Sequence, residues 1–452
     1  MCHGARAVLV GVLLLSIVTP ALLAQPSPDW KQIETEALHT LQAYVRINTS
    51  IPAGDVTKAA DFLVDLFTRE GVSVTRYESG QGRSIVLARL KGSGTGGKAL
   101  LLEHHMDVVA ADPSRWRRDP FAAAIDDGKV WGRGAMDMKG IGVSQIYTFL
   151  LLHRLKVPLA RDVILMAVPD EESGGALGAT WMRDKHYAEL DPEYVIDEGG
   201  FGSRDMFAPG KLVFGISVAE KKIMWLRLRA EGVAGHGSQP HPNNPNDHLV
   251  RALNRLMSEP MRSGRFSVID TMKARIGALT DNKFNNAIQQ STMSITSLRS
   301  GVGDPPRSNV IPSVAEATLD CRVMPGTTAA QWLEELARRL ADPTIKIEVI
   351  YEGDDPVVTP QDTPLYRALE SAVKRRHPDA IVTPMVVPYG TDANGYRPKG
   401  VKSYGFFPAV LPAASIMSMH GDAEFIPADS LLPAIQILFE AVKETVALKS
   451  PR

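Results

Sequence analysis

Cysteine is almost missing from this chain: its 452 residues hold two. Cys2 lies in an apolar leader, so Cys321 stands alone in the remainder and no intramolecular disulfide supports the fold. An excess of either charge is missing as well. Lys and Arg number 50 against 51 Asp and Glu, which excludes the electrostatic footprint of a nucleic-acid or anionic-membrane binder. No internal repeat or low-complexity tract is visible. The start, MCHGARAVLVGVLLLSIVTPALLAQ, has one Arg, an apolar centre and small residues near Ala21 and Ala24. It is too short for a comfortable membrane span and reads as a secretory signal over residues 1–24, with cleavage after Ala21 as the other option. An uncleaved N-terminal anchor is the alternative. The expectation is a secreted or periplasmic protein, free of the membrane once cleaved.

What is present is an ordinary globular composition, long enough for about two to three domains. Helical spacing covers Trp30–Ile47 and Val56–Glu70, the second with Asp55 as cap and Gly71 as stop. Strands are expected at Val72–Tyr77, Ser84–Leu90, Ala99–His104, Asp162–Val168 and Glu193–Ile196, with a largely buried helix at Lys139–Leu155. Alternating strands and helices predict an α/β class, a mainly parallel doubly wound sheet. The pattern changes near Gly215. Lys222–Ala230 alternates like a half-exposed antiparallel strand. A helix at His248–Met257, a strand at Ala315–Val323, a helix at Thr327–Leu340 and a strand at Ile345–Tyr351 complete an α+β, ferredoxin-like unit. This unit, residues 217–353, is inserted between the halves of the larger domain, residues 25–216 and 354–452. The second half reads as helix Pro364–His377, strand Ala380–Val387, strand Ser403–Phe407 and helix Pro427–Leu448.

The stretch Ala99–Asp107, ALLLEHHMD, organises the chain. It reads as a buried parallel strand ending in two histidines and a carboxylate, and ligands gather at the carboxyl ends of such strands. Asp137 in GRGAMDMKG, Glu171-Glu172 after VILMAVP, Asp197-Glu198 after YVI, and His420 in SMHGDAE add to the set. Two His and several carboxylates on one sheet edge suit zinc. His105 and Asp107 share a side of an extended chain, so Asp107 is expected to accept the second ring N–H of His105. His104 points the other way and reads as structural. Adjacent like charges at Glu171-Glu172 repel, and a cation that neutralises one relieves them. Glu172 is then the ligand and Glu171 the general base. Either Asp197 or Glu198 supplies a further ligand. His236 stands between glycines in a polar loop, where a core histidine would have little to pack against.

In order, HHMD, GRGAMDMKG, DEESGG, DEGG, GHGSQP, NVIPSVAEATLDCR, YGTDA and MHGDAE resemble the M20 metallopeptidase family, over nearly the whole chain after the leader. The resemblance implies two Zn2+ ions, with Co2+ or Mn2+ as substitutes, held by His105, Asp137, Glu172, one of Asp197 and Glu198, and His420, with Asp137 bridging. It implies a cis peptide at Asp137–Met138, Asp107 orienting His105 and Glu171 as base. The inserted domain would be a lid or homodimerisation domain in which His236 stabilises the oxyanion. Asn309, Arg322, Gly390 and Thr391 would bind substrate, Arg322 clamping a free carboxylate. The expected activity is hydrolysis of the amide bond in small peptides or N-acyl amino acids. Carboxypeptidase and aminoacylase activities are not separated by these motifs. The rival from another class is a peptidase-like binding module without catalysis.

Overall fold

The computed structural model describes residue 1, residues 27–259 and residues 266–449. All but the first residue of the expected leader lies outside them. One sheet of eight strands forms the centre, in the order Val74–Glu78, Ser84–Leu90, Val163–Val168, Ala99–His105, Pro192–Arg204, Lys402–Val410, Leu212–Glu220 and Ile381–Val387. Its middle four strands run parallel. Antiparallel strands close the edge at Val74–Glu78; toward the other edge Leu212–Glu220 runs antiparallel to Lys402–Val410 and Pro192–Arg204 and parallel to the last strand, Ile381–Val387. Period-two alternation feeds two cores. Leu100, Leu102 and Leu165 face helices that include Gly140–Arg154 and Leu431–Val446, while Leu101, Ile164 and Met166 face Ala179 and Met182. Burial on both faces is why these strands read as continuous apolar runs.

A second sheet of four antiparallel strands has the order Thr292–Ser300, Val314–Val323, Lys222–Glu231 and Lys346–Glu352. Met224, Leu226, Leu228 and Ala230 turn to one face, under the helices Pro245–Ser258 and Ala329–Leu340. A capping box of Thr328 and Gln331 starts the latter helix. The expected insertion over residues 217–353 needs one correction. Helices Ser267–Ile276 and Lys283–Ile288 return to the large core, burying Met272, Ile276, Phe284 and Ile288 there. Among the described residues the chain passes between the sheets at Lys221, at 289–291 and at 353–358. Two consecutive lysines fasten these crossings. The Lys221 ammonium reaches the carbonyls of Ala287 and Gln290 and the Thr292 hydroxyl at 2.8–2.9 Å. Lys222 pairs with Glu352 and Asp355 at 2.6 and 2.8 Å.

Candidate functional site

The strand Ala99–His105 sends its two histidines to opposite faces. His104 enters the core edge-on to Tyr44, ring centroids 6.2 Å apart. Burial, then the neighbouring His105, push its pKa down to about 3, so it stays neutral. His105 turns toward the carboxyl edge of the sheet. Its Nδ1 lies 2.8 Å from the backbone carbonyl of Asp107, which fixes the ring and leaves Nε2 free for the cluster beyond. Here the expected role of Asp107 is corrected. Its carboxylate is 3.9 Å from Nδ1 and instead accepts the backbone N–H groups of Glu171 and Glu172 at 3.2 and 3.1 Å. Asp107 therefore orients the ring through its main chain and holds the Glu171-Glu172 turn through its side chain.

Asp137 sits on a loop held from behind. The Glu424 carboxylate, fully buried, accepts from the backbone of Gly134, Met136 and Asp137 at 2.8–3.0 Å and from Arg133 at 2.7 Å. The Asp137–Met138 peptide is cis. Sequence reasoning missed Glu424 and Arg133. The signal available was a pair of opposite charges, Arg133 in GRGAMDMKG and Glu424 in MHGDAE, flanking two of the candidate ligands.

Two groups converge on Asp137. His105, Asp137 and Glu198 form one, Asp137, Glu172 and His420 the other, each with ligand atoms within 4.8 Å of one another. One Asp137 oxygen lies 3.2 Å from His105 Nε2, and the other lies 3.1 Å from His420 Nε2. His420 Nε2 is also 3.2 Å from Glu172, and His105 Nε2 is 3.8 Å from Glu198. Of the adjacent acidic pair, Glu198 faces the cluster. Asp197 accepts the N–H groups of Glu198 and Ala393 at 2.7 and 2.8 Å.

The charges here lean on one another. Burial opposes a charge on His105, yet the Asp137 hydrogen bond with the Glu171 and Glu198 carboxylates raises its pKa. Hydrogen bonds to Asp137 and Glu172 raise His420 to about 10. Burial, then Asp137, push Glu198 well above the carboxylate range. Burial raises Glu171 likewise. A buried set of carboxylates balanced by two imidazoliums is a setting in which cations replace protons. Glu172 Oε1 is buried without a hydrogen-bond partner among the described residues, a second sign that the donor set fits metal.

A cavity of about 320 Å³ opens beside the clusters. Asp137, Glu171, Glu198 and His420 line it together with Lys283 and Tyr389 and the apolar Phe284, Ala287, Pro388, Ile416, Met417 and Met419. Gly390 also borders it. Thr391 is buried, and both its backbone N–H and its hydroxyl bond to Glu220. The residues of the insertion are not brought into this cavity. His236 is exposed on a two-residue strand paired with Val310-Ile311. Its Nδ1 accepts from the Ser238 hydroxyl at 2.7 Å. The Asn309 carbonyl accepts the Gly237 N–H at 2.7 Å, so these two lie on the same small two-stranded ladder. The Arg322 guanidinium forks onto Asp320 at 2.9 and 3.2 Å.

The model of peptidase family M20/M25/M40 matches residues 101–444, most of the chain and every element of this cluster. The chain belongs to that family. It is a metal-dependent hydrolase of the family, on a mixed α/β fold with a mainly parallel central sheet. It is 27% identical over 396 residues to the N-fatty-acyl-amino acid synthase/hydrolase PM20D1 of Homo sapiens, covering 81% of this chain and 78% of that protein. Aminoacylase-1 of Sus scrofa is 26% identical over 384 residues, covering 83% and 87%. Among solved folds, the family metallo-carboxypeptidase Sso-CP2 of Sulfolobus solfataricus superposes with a TM-score of 0.72 at 21% identity, over 91% of this chain and 99% of that one.

Proposed function

We propose that the protein hydrolyses the amide bond of N-acyl amino acids or small peptides that carry a free carboxylate, using two Zn2+ ions. The observation that carries this is the pair of donor groups sharing Asp137, with Glu171 beside them on the wall of a cavity. His105, Asp137 and Glu198 would hold one ion, and Asp137, Glu172 and His420 the other. Such ions supply Lewis acidity toward a carbonyl oxygen and lower the pKa of water. Glu171, raised by burial, takes the proton of the attacking water and returns it to the departing amine. Asp107 keeps that carboxylate placed through the Glu171 N–H.

The apolar wall of Phe284, Ala287, Ile416 and Met419 supports an apolar acyl group, and the first-named relatives act on acylated amino acids by their names. The four-stranded insertion serves as a lid or dimerisation domain that brings His236 to the carbonyl oxygen. With the leader read as a secretory signal, the enzyme works outside the cytoplasm. Metal analysis with a hydrolysis panel of N-acyl amino acids and dipeptides tests the reading. The expected result is about two ions per chain and activity abolished by chelation. No hydrolysis of any panel member by the metal-replete protein would overturn it.

A further inference from the structure

The apolar cavity has a polar neighbour. A cleft of about 110 Å³ shares Glu171 and Gly390 with it and is lined further by Arg183, Thr391, Asp392 and Asn394. Arg183 sits on the short helix Ala179–Lys185, whose Met182 is anchored in the core. Its side chain is only 14% exposed. Its Nε makes a long contact of 3.4 Å with Asp184, and among the described residues neither terminal nitrogen donates a hydrogen bond. A largely shielded guanidinium whose terminal nitrogens open onto a cleft without a matched acceptor is set to receive one from outside.

Among the described residues, Asp392 and Asp354 share the cleft without forming an ion pair with Arg183, and the cleft's two other strongly held groups are already engaged. Lys221 donates to three acceptors, and Glu220 is taken by Arg397 and Thr391. Asn394 Oδ1 is buried without a partner as well. The guanidinium also has a seat made for it. A Cβ on Gly395 would lie 1.4 Å from Arg183 Nη1, and Gly395 is outside the left-handed region where backbone alone would demand glycine. Room for Arg183 is therefore what this glycine provides.

Resting on the amide hydrolysis proposed above, we infer that Arg183 recognises the free carboxylate of the substrate's amino-acid half, while the acyl half occupies the apolar cavity. The two recesses meet at Glu171, so a carbonyl beside that base places its two substituents one in each. The planar fork of Arg183 suits a carboxylate bidentately. The expected clamp, Arg322, has its own fork on Asp320.

The test compares N-octanoyl-leucine with its primary amide, by kcat and KM on the metal-loaded enzyme and by calorimetric binding to the metal-loaded protein. Wild type should favour the acid. Arg183→Ala should lower the acid-over-amide ratio of kcat/KM at least about tenfold, the scale of a charged hydrogen bond, through KM more than kcat. Gly395→Ala, which displaces the far end of a flexible side chain rather than backbone, should reproduce the loss, and Arg183→Lys should restore part of it. Equal losses on both compounds, with a fall in Tm, would make Arg183 a structural counter-ion and overturn the inference. So would a wild type that does not distinguish the two. If wild type binds the acid in preference but cleaves neither compound nor any member of the hydrolysis panel, the reaction proposed above fails while the recognition by Arg183 stands.

Discussion

The edge of the large sheet and the face of the small one both carry residues that the sequence marks for chemistry, but they are built differently. At the large sheet each group is held by others: Asp137 by the loop that Glu424 clamps, His105 by a main-chain carbonyl, the Glu171-Glu172 turn by Asp107. In the insertion, His236, Asn309 and Arg322 are held by sequence neighbours or across a two-residue ladder, and His236 is exposed. The first region is preorganised in the resting fold. The second would join the site only through a movement that brings it there.

Substitutions can sharpen or break that contrast. The largest effect is expected at Glu171→Gln, with turnover falling at least about a hundredfold and metal content unchanged. Glu172→Gln should instead lose metal, and an exchange of the two phenotypes, read by metal analysis beside kinetics, would reverse their assignment. His236→Ala should keep metal content and Tm yet lower kcat about a hundredfold, the loss of one oxyanion donor, with a smaller change in KM. An unchanged kcat would leave the insertion without a catalytic group. Glu424→Gln turns an acceptor of three backbone N–H groups into a mixed donor, and metal affinity should fall about ten- to a hundredfold. Normal metal titration of that variant would show that the Asp137 loop needs no clamp.

The smallest effect is a matter of protons. His105, His420 and the Glu198 carboxyl are all raised without metal, His420 to about 10, so near pH 7 metal loading should release at least about two protons. Calorimetry in buffers of differing ionisation enthalpy counts them. The sign for stability follows. A histidine whose folded pKa is above its unfolded value near 6.5 stabilises the fold fully below that pH and loses the contribution as pH rises through about 10. Tm of the metal-free protein should therefore decline between those values, and metal loading should remove the decline.

Much of this was legible from residues alone. Apolar runs gave the central strands because both faces are buried, and the helices at Trp30–Val45 and Gly140–Arg154 matched their spacing closely. Strand Pro192–Arg204 outran its expected end at Ile196 for a physical reason. DEGGFGSR looks like a loop, yet Gly200 packs where a Cβ would lie 2.4 Å from the carbonyls of Gly215 and Gly405. The glycines there permit close strand approach rather than a turn. Strand Thr292–Ser300 was missed because it is a largely polar edge with little burial to mark it. At the site, the types and order of the residues that gather around Asp137 were readable from the motifs. The partner of each polar atom was not: spacing placed Asp107 beside His105 but could not say whether carboxylate or carbonyl would reach the ring.

The two lysines at the junction impose a mechanical consequence. Lys221 binds the chain leaving the large core at 287–292, and Lys222 binds the chain returning at 352–355. Three passages of one polypeptide are thus riveted side by side. A relative motion of the sheets that kept these contacts would turn about that line. It would shift a point in proportion to its distance from the pivot, so the loop bearing His236, beyond the far end of strand Lys222–Glu231, would be displaced more than Tyr351 and Ile223, beside the pivot on the wall of the Arg183 cleft.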